Sequence, residues 1–266
     1  MDETAAYAKH PRSTVRRLRD RAKYDFATVH AIFNRASVLH VSFLPADPST
    51  DPFPTILPML GAMGNFENPT FDPATEPLDM YIHGHASSRL MKLPGSDPGE
   101  VHPEGFPVCV AATSLDGIKL ALTPFNHSYN YRSAVVHGYA NLVTDEDEKN
   151  WALRLITDGL VPDRWNNSRP PTPAELQVTS VLRINIVSAS AKVNTGPPGD
   201  DRKDLQNSDV TSRVWAGVLP VWEYIGPPVE SKTNKVTPVS DYLSGWIGEH
   251  NASREEYALR VASEKM

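Results

Sequence analysis

Among the 266 residues there is one cysteine, Cys109, so no intrachain disulfide can form. It lies in the apolar run Val108-Cys109-Val110-Ala111-Ala112, where a buried, inert thiol is expected. Basic excess is also absent. Lys and Arg total 26 against 32 Asp and Glu, and the formal charge of −6 gives no electrostatic reason to expect nucleic acid as a partner. No apolar run approaches the roughly 20 residues that a membrane-spanning helix needs. The first residues are polar and then basic, with no apolar segment of the kind a secretory leader carries, so a cytoplasmic setting is expected. In that setting the Asn-x-Ser triplets at Asn126, Asn166 and Asn251 carry little weight as glycosylation sites. Three catalytic signatures are missing as well: the Gly-x-Ser-x-Gly elbow, the P-loop and the Gly-x-Gly-x-x-Gly fingerprint.

What is plentiful is proline. Its 24 residues are spread between short apolar runs, which suits short strands joined by rigid loops. Strands are expected at Val38–Leu44, Thr55–Leu60, Met80–His83, Val108–Thr113, Ile118–Leu122, Ser133–Val143, Val181–Ile186 and Val214–Tyr224. Asp116-Gly117 reads as the type I′ turn of a hairpin, because that turn needs positive φ. Helices are expected over Ser13–Ala22, after an Asp25 cap with a Phe26, Val29, Ile32, Phe33 stripe, after Thr144-x-x-Asp147, and over Asp241–Lys265. Gly61 to Pro77 reads as loop. Strands and helices do not alternate as βα units, so a mainly β, antiparallel barrel with flanking helices is the natural fold.

Two segments can carry chemistry. His83-Gly84-His85-Ala86-Ser87-Ser88-Arg89 ends a strand in small residues, two hydroxyls and a guanidinium, the set that grips a phosphate dianion. His83 and His85 share a strand face, but no third metal ligand follows at suitable spacing, so no metal is expected. The second segment is Asn126-His127-Ser128-Tyr129-Asn130-Tyr131-Arg132-Ser133, leading to His137. Its aromatics, amides and hydroxyls suit a flavin ring, and suit equally a polar strand start packed by tyrosines.

Seven ordered blocks resemble the pyridoxamine 5′-phosphate oxidase-like split-barrel flavoproteins, in the branch that includes nitroimidazole reductase-like proteins. They are Tyr-Ile-His-Gly-His-Ala-Ser-Ser-Arg at 81–89, Leu-Asp-Gly at 115–117, His-Ser-Tyr-Asn-Tyr-Arg-Ser at 127–133, and Val-Thr-Asp-Glu-Asp-Glu-Lys at 143–149. Arg-Pro-Pro-Thr-Pro-Ala-Glu-Leu at 169–176, Ser-Ala-Lys-Val-Asn-Thr-Gly-Pro-Pro at 190–198 and Val-Trp-Ala-Gly-Val-Leu-Pro at 214–220 complete the set. The resemblance implies a six-stranded antiparallel split β-barrel over residues 1–226, followed by a linker and helical extension over 227–266. It implies a homodimer with FMN in a groove between subunits, acting as an oxidoreductase on a small organic substrate. Ser87, Ser88 and Arg89 would then hold the phosphate, with Ile82, His83, Gly84 and Lys192 also counted among the cofactor-binding residues. Ile56, Leu57 and Pro58 would line the ring, and Asn130, Tyr131, Arg132 and Ser133 would close the site. His83, His127 and His137 are the candidates for moving a proton.

This sequence departs from the branch at Asn194, where a basic residue is usual, and in its long tail, which would cover the cofactor, embrace a partner or fray. Two alternatives therefore stand beside the flavin enzyme. One is a haem or tetrapyrrole binder with a histidine ligand; the other is a cofactor-free small-ligand binder or isomerase.

Overall fold

A computed structural model describes residues 5–45, 47, 49–93 and 104–265. Among these, nine strands form one sheet: β1 (Ala22–Lys23), β2 (Leu39–Phe43), β3 (Thr55–Met59), β4 (Gly61–Gly64), β5 (Asp79–His85), β6 (Phe106–Leu120), β7 (Ser128–Leu142), β8 (Thr179–Asn194) and β9 (Gly217–Pro220). The order is β3-β2-β6-β7-β8-β5-β4, with β1 added on β8 and β9 on β6. Every pairing with a resolved register is antiparallel. The helices are α1 (Phe26–Arg35), α2 (Arg89–Lys92), α3 (Glu146–Leu160), α4 (Pro173–Val178), α5 (Arg202–Leu205), α6 (Ser208–Arg213) and α7 (Asp241–Ser263). A mainly β, antiparallel fold with flanking helices is what the sequence predicts. No helix among the described residues is long and apolar enough to cross a membrane.

Several local expectations change for identifiable reasons. Residues 13–22 form no α-helix. The hydroxyls of Ser13 and Thr14 donate to the His10 carbonyl, Leu18 turns left-handed at φ 56°, and Ala22–Lys23 join the sheet against Ala191 and Lys192. Gly61–Gly64, read as loop, is strand β4. Its glycine permits the approach, since a Cβ on Gly61 would stand 2.7 Å from the Tyr81 carbonyl oxygen.

Asp116-Gly117 is no hairpin either. Strand β6 runs straight through it, and neither residue has positive φ. Gly117 serves close packing instead, because a Cβ there would lie 2.8 Å from Val218 Cγ1 on β9. The parity of burial also flips at this point, from Val108, Val110 and Ala112 to Gly117, Lys119 and Ala121. The turn between β6 and β7 falls at 121–127 instead.

Caps hold the helices where the sequence places them, with shifts of a residue. Asp25 accepts the Thr28 N–H at 2.8 Å, and α1 buries Val29, His30, Ile32 and Phe33. Asp145, one residue past the expected Thr144, accepts the Glu148 N–H at 2.8 Å. The unforeseen α4 starts with a complete capping box between Thr172 and Glu175.

The chain divides into two compact units, Met1–Thr113 with Ser133–Lys192, and Ser114–Arg132 with Val193–Met266. The first is built on apolar burial, with Val29, Val41, Met80, Ile82, Val110, Val136, Leu182 and Ile184 fully inside. A second cluster there joins Tyr81, Val181, Ala152 and Ile156, with Trp151 packed against it. At its margin the Tyr81 hydroxyl donates to Glu148 Oε1 at 2.9 Å, and Arg183 pairs with the same carboxylate at 3.0 Å.

The second unit contains the expected tail 227–266, and the tail is stitched in by polar contacts. Gly196 N–H donates to the Val261 carbonyl at 2.7 Å, and Asn130 Nδ2 donates to it at 3.1 Å. Asn251 exchanges two hydrogen bonds of 2.9 Å with the backbone of Ile225. In α7 the buried residues are Ala258 and Val261, whereas Leu259 is exposed.

Candidate functional site

The loop expected to grip phosphate begins where β5 ends. His85 pairs with Thr179 across the sheet, and the Ala86 N–H donates to the Val178 carbonyl at 2.8 Å, so the loop is pinned to the end of α4. Ser87 Oγ lies 2.8 Å from His85 Nδ1, and the Ser88 N–H donates to the His85 carbonyl at 2.8 Å. The Ser88 hydroxyl makes no hydrogen bond among the described residues. Arg89 is exposed and lies with its guanidinium carbon 5.6 Å from the centroid of the Phe43 ring, donating to Thr55 Oγ1. Cation–π contact and a hydroxyl partner hold this charge in place while leaving donors free.

Phe43 and Pro54, the residue before Thr55, also line an open, mostly apolar cavity of about 240 Å³ with Ser42, Cys109 and His137. Arg89 is therefore fixed at residues that adjoin a cavity. Along β3, which starts at Thr55, Ile56 is 61% exposed, Pro58 is exposed and Leu57 is half-buried. Ile82 is fully buried in the core and acts as packing beneath the loop. Gly84 is there for close contact, since a Cβ would come 2.9 Å from Met91 Cε.

The three candidate histidines differ. Burial pulls the His83 pKa below its ordinary value, and its buried Nδ1 has no hydrogen-bond partner among the described residues. His137 is likewise lowered, by burial first and then by the charges of Arg12 and His10, and its buried Nδ1 also lacks a partner. Both imidazoles are accordingly neutral near pH 7. His127 is exposed and spends Nδ1 accepting the Ala121 N–H at 2.9 Å, which shapes the turn. Cys109 lines the cavity, and burial raises its thiol pKa, which keeps it in the unreactive form. Among the described residues no three His, Cys, Asp or Glu side chains gather as metal ligands do.

The remaining expected residues fall into two groups. In the first unit, Ser133 Oγ donates to the Lys192 carbonyl at 3.3 Å, and Lys192 pairs with Ala22 through the backbone. In the second, Arg132 forms a fork on Asp116, at 3.0 Å and 2.6 Å, and stacks 3.9 Å from the Tyr257 ring centroid. Asn130 is fully buried and donates to the Gly196 and Val261 carbonyls, and half-buried Tyr131 follows it on β7.

Asn194 is also clarified. Its Oδ1 accepts from Lys119 Nζ at 3.2 Å, and the same ammonium donates to the Thr195 carbonyl at 2.8 Å. A buried lysine thus supplies positive charge beside the position that the resemblance expects to be basic. Sequence alternation had no means of finding it, because Ile118-Lys119-Leu120 reads as a strand with the lysine outward. The parity flip at Asp116-Gly117 turns it inward. Phe43 and Thr55, the anchors of Arg89, gave no sequence signal, since they are 46 and 34 residues away in the chain.

Known proteins place the chain. It shares 29% identity with the flavocytochrome Anf3 from Azotobacter vinelandii, over 90% of this chain and 98% of that one, with a TM-score of 0.71. A FAD and haem binding protein from Mycobacterium smegmatis matches at 24% identity, over 85% and 97% of the two chains, with a TM-score of 0.67. A 5-nitroimidazole antibiotic resistance protein from Bacteroides thetaiotaomicron matches at 17%, over 65% and 86%, with a TM-score of 0.47. No curated protein matches the chain. Residues 25–193 match the family model described as pyridoxamine 5′-phosphate oxidase, and on that match the chain belongs to the pyridoxamine 5′-phosphate oxidase family.

Proposed function

We propose that the chain is a flavin-dependent oxidoreductase that binds the FMN moiety of its cofactor at Ser87, Ser88 and Arg89. It would work as a homodimer, in a cytoplasmic setting, on a small organic substrate. The observation that carries this reading is the position of Arg89, an exposed cation fixed on Phe43 and Thr55 beside the apolar cavity. A flavin 5′-phosphate asks for that charge and for the neighbouring hydroxyls, while its ring asks for an apolar wall. Arg89, Ser88 and the apolar walls of the cavity support that reading. The family match and the flavocytochrome, 29% identical over 90% of the chain, point the same way.

Bound flavin supplies two-electron transfer. The chain supplies grip and placement. Ser88 and Arg89 would hold the phosphate, and the exposed side chains of β3 at Ile56 and Pro58 would offer the ring apolar surface. His137 lines the cavity with a neutral imidazole, so it can accept a proton there. The exposed Phe53 and Ile56, at 74% and 61%, mark the apolar surface that a second copy would cover.

A second reading, haem alongside flavin, is supported by the buried, unpartnered Nδ1 atoms of His83 and His137 and by the flavocytochrome relative. One spectrum separates the readings. Purified protein incubated with FMN and desalted should retain flavin bands near ~375 and ~450 nm. A Soret band near ~400 nm would add haem. Protein that stays colourless with either cofactor refutes both.

A further inference from the structure

A larger cavity of about 760 Å³ lies elsewhere in the first unit, and the flavin reading makes no use of it. Its walls come from α3, the 161–172 connection and α4. They include two indoles, Trp151 and Trp165, together with Asn150, Arg154, Asn166 and Leu176. Its contents distinguish it from a core packing defect. Core gaps are lined by aliphatic groups, whereas this open one is lined by two indoles, two amides and a guanidinium.

The Trp151 indole and the Trp165 backbone are held in place before any ligand arrives. Trp151 packs edge-to-face on Tyr81 with centroids 5.2 Å apart, and tilts against Phe66 at 5.7 Å. The chain at Trp165 is anchored by the backbone N–H, which donates to Asp158 Oδ1 at 2.8 Å. The wall around it is self-bonded: Asp163 is left-handed at φ 60°, and Asn167 Nδ2 donates to its carbonyl at 2.9 Å and to its carboxylate at 3.0 Å. Next to the lining residues Pro170, Pro171 and Leu176, Arg169 forms a fork on Glu175, at 2.9 Å and 2.5 Å. Preorganised aromatic walls lose little entropy on binding a flat ring.

The polar groups complement one kind of ring. Asn150 and Asn166 each spend Nδ2 inside the protein, on Glu146 O at 2.9 Å and Asp163 Oδ1 at 2.7 Å, and neither Oδ1 accepts a hydrogen bond from a described residue. Neither indole N–H is engaged by a described residue. The cavity thus offers free acceptors beside free donors on aromatic walls. Adenine presents an exocyclic amine that donates, ring nitrogens that accept, and two π faces. At the rim, Arg154 is half-exposed and loosely paired with Asp158 at 3.5 Å, which leaves its charge available to a phosphate.

The cavity also lies close to the flavin loop. Leu176 lines it, and Val178, two residues on, accepts the Ala86 N–H at 2.8 Å. Two residues of helix rise about 3 Å. Lys149 Nζ donates to the Leu176 carbonyl at 2.7 Å and ties α3 to the same junction.

We propose that the pocket of Trp151 and Trp165 receives the adenine ring of an adenine dinucleotide, which extends recognition beyond the flavin mononucleotide moiety to FAD. The FAD form rests on the flavin reading above. A nicotinamide adenine dinucleotide would present the same ring, so the test has an arm for each source and one independent of both.

The full chain, Trp165→Ala and Ser168→Trp are titrated calorimetrically with FMN, FAD, NAD⁺ and AMP, with thermal melts confirming folding. Trp165 stands on a loop, and Ser168 also lines the pocket, so Ser168→Trp should plug it without removing a wall. Wild-type protein should bind FAD more tightly than FMN, and each variant should lose roughly fivefold to hundredfold in FAD affinity with FMN unchanged. Unchanged flavin binding with weakened NAD⁺ binding assigns the pocket to the nicotinamide dinucleotide. If no flavin binds at all, the flavin reading fails, and AMP binding that Ser168→Trp abolishes still upholds the pocket. FAD, NAD⁺ and AMP affinities that both folded variants leave unchanged overturn the proposal.

Discussion

The two compact units are held together by different physics. The first buries a continuous set of Val, Leu, Ile, Met and Phe side chains, and its buried polar residues among those described are few: Ser13, His30, Glu148 and Ser188. In the second, the fully enclosed apolar residues among those described are only Ala121, Ala258 and Val261, set against Asp116, Lys119, Asn130, Asn194 and Thr195. Apolar burial tolerates changes of shape and penalises loss of volume. Directional bonding tolerates loss of volume and penalises any partner left unpaired. The candidate phosphate loop stands on the first kind of foundation, and the tail helix is anchored by the second.

Truncation in the first unit should have the largest effect. Phe33→Ala removes a ring that is 1% exposed, and a loss of about 3–5 kcal/mol in denaturant unfolding is expected. Asp116→Ala should follow, at about 2–4 kcal/mol, because it strips both partner oxygens from an Arg132 side chain that is 11% exposed. The two units then separate by their rescue. Replacing Asp116 and Arg132 together by apolar residues of similar volume should recover much of that second loss, whereas no second truncation restores Phe33→Ala. If the double replacement is no better than Asp116→Ala, the view of the second unit as held by polar pairing is wrong.

The smallest effect expected is a pH slope in the first unit. His30 is 1% exposed and lies between the Tyr7 hydroxyl and the Pro73 carbonyl, both 2.7 Å away. Burial lowers its pKa, against weaker upward pulls from the Pro73 carbonyl and Asp25. A histidine whose folded pKa lies below its ordinary 6.5 binds its proton more readily when unfolded. Its contribution is therefore complete above that value and declines as pH falls through the window beneath it. His83 and His137 act in the same sense, and Asp79, raised by burial, acts in the opposite one. Thermal midpoints should fall between pH 7.5 and 5.5, by less in His30→Gln than in the parent. An equal fall in both would remove His30 from the account.

Much of this architecture is legible in the sequence, and the failures share a cause. The α1 stripe, the α3 helix and strands β2, β3 and β7 follow from local periodicity, and β5, buried on both faces at Met80, Tyr81 and Ile82, follows from its apolar run. Where tertiary contact decides, local rules mislead. Asp116-Gly117 is a turn signal that instead admits β9, and Gly61–Gly64 has loop composition yet pairs with β5. Serine and threonine hydroxyls at 13 and 14 favour a turn over the helix that the apolar spacing suggests.

At the site, residue types in sequence order pointed to the loop 83–89. What stabilises Arg89 is long-range and had no local trace, and the same holds for Lys119 beside Asn194. The pocket of Trp151 and Trp165 was missed for a related reason: its two aromatics belong to different elements, and only the fold brings them together.

The most direct test of the flavin site is an FMN titration of Arg89→Ala against the wild-type chain, followed by flavin fluorescence. Loss of a charged hydrogen bond to phosphate predicts an affinity lower by roughly tenfold to hundredfold, with the thermal midpoint little changed because Arg89 is exposed. FMN bound equally well by the two proteins would contradict the assignment of the phosphate to this loop.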